Sequence, residues 1–270
     1  MRYIFLLTLI LISTNVFSQV NELLYIEKNG KMGNYNKTTV VNKYTHSAAK
    51  TNESIESIKQ RMLASGNYKF VEYNTIEHHP KVNNISNKYY SKSWHHTSIK
   101  SKEALSLITA PKEVIVAVCD SGFEEQHQDL KDSKVRGYSL IDNSYNTLPN
   151  THHGTMVSGI IVGQKNSLNN ASGIAPFVKV MPIKITSSNG SSSLSTIVEC
   201  IKYGVDNGAK VINVSFTGVN NHSIEEAGKY ARDRGSLLVY SAGNHGRNRG
   251  NYPDHKNVLI VGGTQKADRR

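Results

Sequence analysis

Three segments of the sequence hold side chains whose chemistries suit one another. Asp120 follows the apolar run VIVAVC and is succeeded by Ser121-Gly122. His152 and His153 stand together in THHGTMVSG, and Asn244 ends SLLVYSAGN. A carboxylate that orients an imidazole, an imidazole that moves a proton and an amide that steadies an oxyanion are parts of acyl transfer at a carbonyl. The remaining part is a nucleophile. Singly, each residue also has an ordinary reading, Asp120 as a turn residue or helix cap and Asn244 as a turn former. Of the two histidines, His153 is the better base, because Gly154 beside it permits close backbone approach. It also opens a helical segment, whose dipole disfavours an imidazolium at rest. His152 reads as its solvent-side neighbour.

For these residues to meet, the chain must bring distant segments together. From about residue 100 apolar runs of strand length recur: VIVAVC (114–119), VKVMPIKI (178–185), VINVSF (211–216), SLLVYSA (236–242) and NVLIVGG (257–263). Several are apolar almost throughout, as strands buried on both faces must be. Helices lie between them. Leu194, Ile197, Val198, Ile201 and Val205 form one helical face, with Ser193 before it and Gly208 after. In SIEEAGKYARDRG, Ser223 and Glu226 have capping-box spacing and Gly235 is a C-cap. Alternating strands and helices predict an α/β fold, a parallel sheet with helices on both faces. Function in such sheets gathers at the carboxyl ends of strands, where Asp120 and Asn244 both fall.

Residues 19 to about 98 read differently, rich in Asn, Lys, Ser and Tyr. SIESIKQRMLAS (54–65) spaces Ile55, Ile58, Met62 and Leu63 as a helix with Ser54 as N-cap, and KFVEYNTIEHH (69–79) alternates as a strand. With another strand near LLYIEK this makes a small α/β unit, followed by the linker PKVNNISNKYYSKSWHH around Pro80. The first 18 residues have the pattern of a signal peptide: Arg2, an apolar stretch over 5–12, and Val16 and Ser18 before Gln19. That stretch is about half of what a membrane span needs. Export is therefore expected, with no membrane attachment after cleavage. The net charge of +11 is dispersed, with 12 Lys/Arg against 6 Asp/Glu in residues 19–100 and no basic run of five, which argues against nucleic acid as a partner. Cys119 and Cys200 each sit in an apolar pattern and read as buried free thiols, with one bridge open to an oxidising compartment.

The DSG at Asp120, HGT at His153 and AGN at Asn244, in that order, resemble the subtilisin-like serine proteases. SGIAP (172–176), GAKVINVSF (208–216) and Tyr252-Pro253 before NVLIVGG agree, and the resemblance covers about residues 89–267. It implies a secreted or cell-envelope endopeptidase in which Asp120 orients His153, His153 is general base and then acid, and the Asn244 amide helps bind the oxyanion. Ser215, Phe216, Thr217 and Gly218 would correspond to the edge that pairs with the backbone of a polypeptide substrate. The family usually has Ser-Leu-Gly where this chain has Ser215-Phe216-Thr217. Asp129 falls where relatives often bind a structural calcium; the chemistry itself needs no cofactor. Met156 replaces a common second histidine. Residues 19–88 would be an inhibitory propeptide acting in cis on the catalytic domain at 89–270, or, in the competing reading, a plain accessory unit.

The family's serine follows its histidine by about 150 residues on a Gly-Thr-Ser turn that opens a buried helix. No Gly-Thr-Ser occurs in the 270 residues, and Gly263-Thr264 is followed by Gln265. The sequence is therefore expected to be a fragment with an incomplete sheet, lacking the nucleophile segment and inactive by itself. The alternative expectation is a truncated pseudoprotease that binds or inhibits.

Overall fold

The computed structural model describes residues 22–27, 32–36, 54–78, 94–109, 113–164, 173–244 and 255–264. The expected signal peptide, most of the linker and Tyr252-Pro253 lie outside them. The chain divides into two compact units, residues 1–75 and 76–270.

In the first unit, β1 (Glu22–Glu27) lies between β2 (Met32–Asn36) and β3 (Tyr68–Tyr73), both antiparallel to it. The helix α1 (Ile55–Ala64) is capped by Ser54, whose hydroxyl accepts the Ser57 amide at 3.1 Å. Ile58 and Met62, one turn apart, bury against Leu23, Tyr25 and Val71. Leu63 does not join them and stays 43% exposed. The expected strand over 69–79 is broken in two. Asn74 ends β3 by donating its backbone and side-chain amides to Glu22, and a tight Thr75-to-Tyr73 bond turns the chain. The second piece, β4 (Ile76–His78), belongs to the other unit.

The second unit is built on six parallel strands in the order β11-β10-β9-β5-β7-β6. These are β5 (Ile115–Asp120), β6 (Tyr138–Ser139), β7 (Lys179–Lys184), β9 (Val211–Val214), β10 (Leu237–Ser241) and β11 (Val258–Val261). The short β6 had no apolar signal in the sequence. Two further short helices, α2 (Trp94–Ser98) and α3 (Ser101–Ser106), precede β5. Trp94, His95 and His96, expected in the linker, thus begin a helix instead. Following β5 come α4 (His153–Val162), α5 (Leu194–Asp206) and α6 (His222–Asp233).

Period-two alternation along β5 explains why helices cover both faces. Val116 and Val118 pack with Val162 of α4 on one side. Ala117 and Cys119 turn to the other, where a Cβ on Gly204 of α5 would come within 2.8 Å of the Ala117 methyl. The α5 cap is the expected Ser193, which accepts the Thr196 amide, and Gly208 follows at φ +89°. For α6 the cap is Asn221 rather than Ser223, which lies fully buried in the first turn. The small β8 (Ser191–Ser193) pairs antiparallel with β4.

The close approach of α5 to β5 also corrects the reading of the cysteines as free thiols. Cys119 and Cys200 form a disulfide with Cα atoms 6.0 Å apart. Burial brought both thiols to the same strand–helix contact, and neither apolar pattern alone reveals that they face each other. The bridge spans 81 residues. Replacing both cysteines by serine is expected to lower stability by about 4 kcal/mol on the chain-entropy estimate. Urea midpoints of oxidised, reduced and substituted chains check this: reduction should shift the first and leave the last unchanged.

Candidate active site

Asp120 is the last residue of β5 and His153 the first of α4. His153 Nδ1 lies 2.8 Å from Asp120 Oδ1 and 2.9 Å from Oδ2, with the two residues only 7% and 1% exposed. Both carboxylate oxygens face one ring nitrogen, so the proton on Nδ1 is held between them. With the proton on Nδ1, Nε2 is the nitrogen that carries the lone pair base chemistry uses. His152 is exposed, as the choice between the two histidines requires.

Much of the local structure exists to hold this contact. The Ser121 amide donates to Asp120 Oδ1 at 2.7 Å, fixing the carboxylate from its own chain. The Ser121 hydroxyl donates to Thr151 O at 2.8 Å and accepts the Gly154 amide at 3.0 Å. A side chain from the β5 turn thereby caps α4, whose own N-cap residue, His152, makes no side-chain capping bond. Thr155 adds a second tie by accepting the Glu124 amide at 3.0 Å. The sequence offers no local signal for this capping role, because Ser121 lies 33 positions before Gly154. Gly122 has φ +104°, and a Cβ there would also lie 2.5 Å from Thr147 O.

The neighbouring parallel strands bring other expected residues to the same edge of the sheet. Past β9 the chain runs through Ser215, Phe216, Thr217 and Gly218. Phe216 is 1% exposed and packs in the core, while the backbone of Thr217 next to it turns toward β4. Thr217 N–H donates to His78 O at 3.2 Å, and β8 pairs with the other edge of β4 through Glu77–Ser192 and His78–Ser191. An extended segment therefore lies between two backbone edges. Asn244 is exposed three residues beyond β10, after Gly243 at φ +85°.

Asp129 is buried, and its Oδ1 has no hydrogen-bond partner. An orphaned buried carboxylate oxygen suits a hard cation such as calcium as one donor. Among the described residues no group of three or more His, Cys, Asp or Glu gathers around a common point.

Gly154 tests how tightly the pair is constructed. A Cβ there would lie 2.3 Å from Gly122 O and 3.0 Å from the Asp120 Cβ, whereas at Gly159, one and a half turns on, it would meet nothing within 4 Å. Gly154→Ala should destabilise by about 1–3 kcal/mol. Gly159→Ala should be neutral or gain up to about 1 kcal/mol from helix propensity. Thermal denaturation of both variants decides it, and equal effects would contradict the packing described.

Residues 111–270 match the Subtilase family. The chain is 36% identical over 157 residues to the thermophilic serine proteinase of Bacillus sp. strain AK1, covering 57% of this chain and 39% of that protein. It is 32% identical over 157 residues to thermitase of Thermoactinomyces vulgaris, covering 57% and 56%. The chain thus spans about half or less of the length of these relatives. Among solved structures, fervidolysin of Fervidobacterium pennivorans, described as a keratinolytic enzyme related to subtilisin, superposes with a TM-score of 0.60 at 20% identity, over 84% of this chain and 40% of that one. That likeness establishes the subtilisin-like parallel-sheet fold. With more than half of its length matching, this chain belongs to the subtilase family.

Proposed function

We propose that the chain is part of a secreted serine endopeptidase, supplying Asp120 and His153 to an Asp-His-Ser triad. The observation that supports this most is the buried Asp120–His153 contact at the carboxyl edge of the sheet. In this reading Asp120 fixes the imidazole with Nδ1 protonated. Nε2 takes the proton from a serine hydroxyl as it attacks the peptide carbonyl, and returns it to the departing amine. The Asn244 amide donates to the oxyanion that forms between these steps. The substrate is held as an added strand, between β8 and the backbone at Ser215, Thr217 and Gly218.

Residues 19–88 are proposed to be a propeptide that blocks this groove in cis. Its support is β4, which is paired on both sides in the way a substrate strand would be. The signal-peptide pattern of residues 1–18 supports export to the cell envelope or beyond. No helix among the described residues is long and apolar enough to cross a membrane.

Gly-Thr-Ser is absent from the 270 residues. Tested on casein, the 270-residue chain should show no cleavage sensitive to phenylmethylsulfonyl fluoride. A longer chain that continues through such a serine turn should cleave, and His153→Ala should lower its turnover by about 10⁶. Strong serine-type cleavage by the 270 residues alone, or full activity of the His153 variant, would refute the assignment.

For Asp129 the proposal is a structural calcium, to which its unpartnered oxygen contributes one ligand. Calcium in place of a chelator should raise the melting temperature by several degrees, a binding effect that grows with ligand concentration. The increment should vanish in Asp129→Asn. An unchanged melting temperature in calcium would remove the site.

A further inference from the structure

We propose that Thr217 and Gly218 form a subsite selecting a glutamate side chain in the bound peptide, at the residue that pairs with Ser192. The inference rests on the groove reading above and deepens it. In the structure Glu77 of β4 fills the position.

The selectivity comes from how the Thr217 hydroxyl is used. Its oxygen accepts the His78 amide at 3.3 Å, a bond to the peptide backbone that any bound strand can supply. Its one proton is thereby left to donate, and it goes to Glu77 Oε2 at 2.5 Å. A hydroxyl committed in this way requires an acceptor beside it. A carboxylate satisfies it with a charge-assisted bond. A glutamine does so through its carbonyl, more weakly, while a lysine or arginine brings only further donors. A leucine leaves the hydroxyl proton facing carbon. Aspartate is one methylene short of the same oxygen.

Gly218 supplies the room. A Cβ on it would lie 2.6 Å from the Glu77 carboxyl carbon and 2.9 Å from Oε1, so the carboxyl group rests where a side chain would otherwise be. The φ of +91° at Gly218 makes any such side chain costly for a second reason. Tyr240 holds the platform in place. Its phenol, 1% exposed, donates to Thr217 O at 2.7 Å. Burial first, and the nearby Glu77 carboxylate second, raise the phenol pKa well above its usual value, so it remains a donor. Glu77 itself is 9% exposed, which removes much of the water that would compete for its carboxylate.

Because the peptide is present in cis, the preference is measurable without turnover. Hydrogen exchange at the amide of residue 217, which bonds His78 O, reports how firmly the strand is seated. Glu77→Leu and Glu77→Ala should accelerate it about tenfold or more, the loss expected for a hydrogen bond to a charged group. Glu77→Gln should fall between. Amides of Val116 and Val118 in β5 should not change, which separates the effect from global unfolding. In a Thr217→Val background the residue-77 variants should become equal within about twofold. A second measurement uses the full chain with Ile76→Gly, Glu77→Gly and His78→Gly to weaken the strand in cis. The labelled peptide NTIEHH should bind it about tenfold more tightly than NTILHH. Leucine at residue 77 protecting as well as glutamate, equal affinity of the two peptides, or a glutamate preference that survives Thr217→Val would overturn the subsite while leaving the groove. Fast exchange at Thr217 in the unsubstituted chain, or no binding of either peptide, would overturn the groove reading itself.

Discussion

A carboxylate and an imidazole removed from water must satisfy each other, and the Asp120–His153 contact sets the terms for the structure around it. Burying either group alone would cost several kcal/mol, about what is lost when one partner of a buried pair is removed. The fold meets the requirement with two ordered elements. Strand β5 delivers the carboxylate at its end, and helix α4 delivers the ring at its beginning. The ring and the carboxylate come within 2.9 Å because the intervening turns lack side chains where backbones cross. Ser121 then serves both halves, holding Asp120 by its amide and the helix by its hydroxyl.

The same sheet edge organises peptide recognition. Parallel order makes every strand end on one side, so the extension of β9 lies next to that of β5 without any long excursion. The disulfide from Cys119 to Cys200 ties α5 to the residue preceding Asp120. The strand that positions the carboxylate is therefore anchored on both faces, by Val162 and its neighbours on one and by a covalent link on the other. Sheet order, helix packing and bridge converge on a rigid base. Recognition is left to the short segments beyond it, β8 and residues 215–218. Function placed on loops above a fixed scaffold is what such an arrangement favours.

Long-period features were legible in the sequence. The buried strands declared themselves as continuous apolar runs, and α5 by its apolar face between Ser193 and Gly208. Asp120 and His153 could be paired because each sits at an element end, with Gly122 two residues after the first and Gly154 directly after the second. What escaped was decided by contacts between remote segments. The alternation over 69–79 is continuous, yet Glu22 captures Asn74 and divides it. Leu63 has helical spacing but stays outside the buried cluster that Ile58 and Met62 join. Ser223 has capping spacing, yet the chain enters α6 two residues earlier, through Asn221. The cysteines gave two apolar patterns and no sign that they oppose one another. Thr217 was legible as part of the substrate-pairing edge and as a departure from the usual Ser-Leu-Gly, but the use of its hydroxyl depends on residue 77, 140 positions away.

The most direct test of the account is the protonation of the His153 ring, read by nitrogen-15 NMR on the 270-residue chain with Asp120→Ala for comparison. In the neutral ring the proton should reside on Nδ1, held by Asp120 and slow to exchange, with Nε2 showing the shift of an unprotonated base nitrogen. The Nδ1 signal should lose that protection in the variant. A neutral ring protonated on Nε2, or a spectrum indifferent to Asp120, would contradict the claim that the carboxylate sets His153 up as a base.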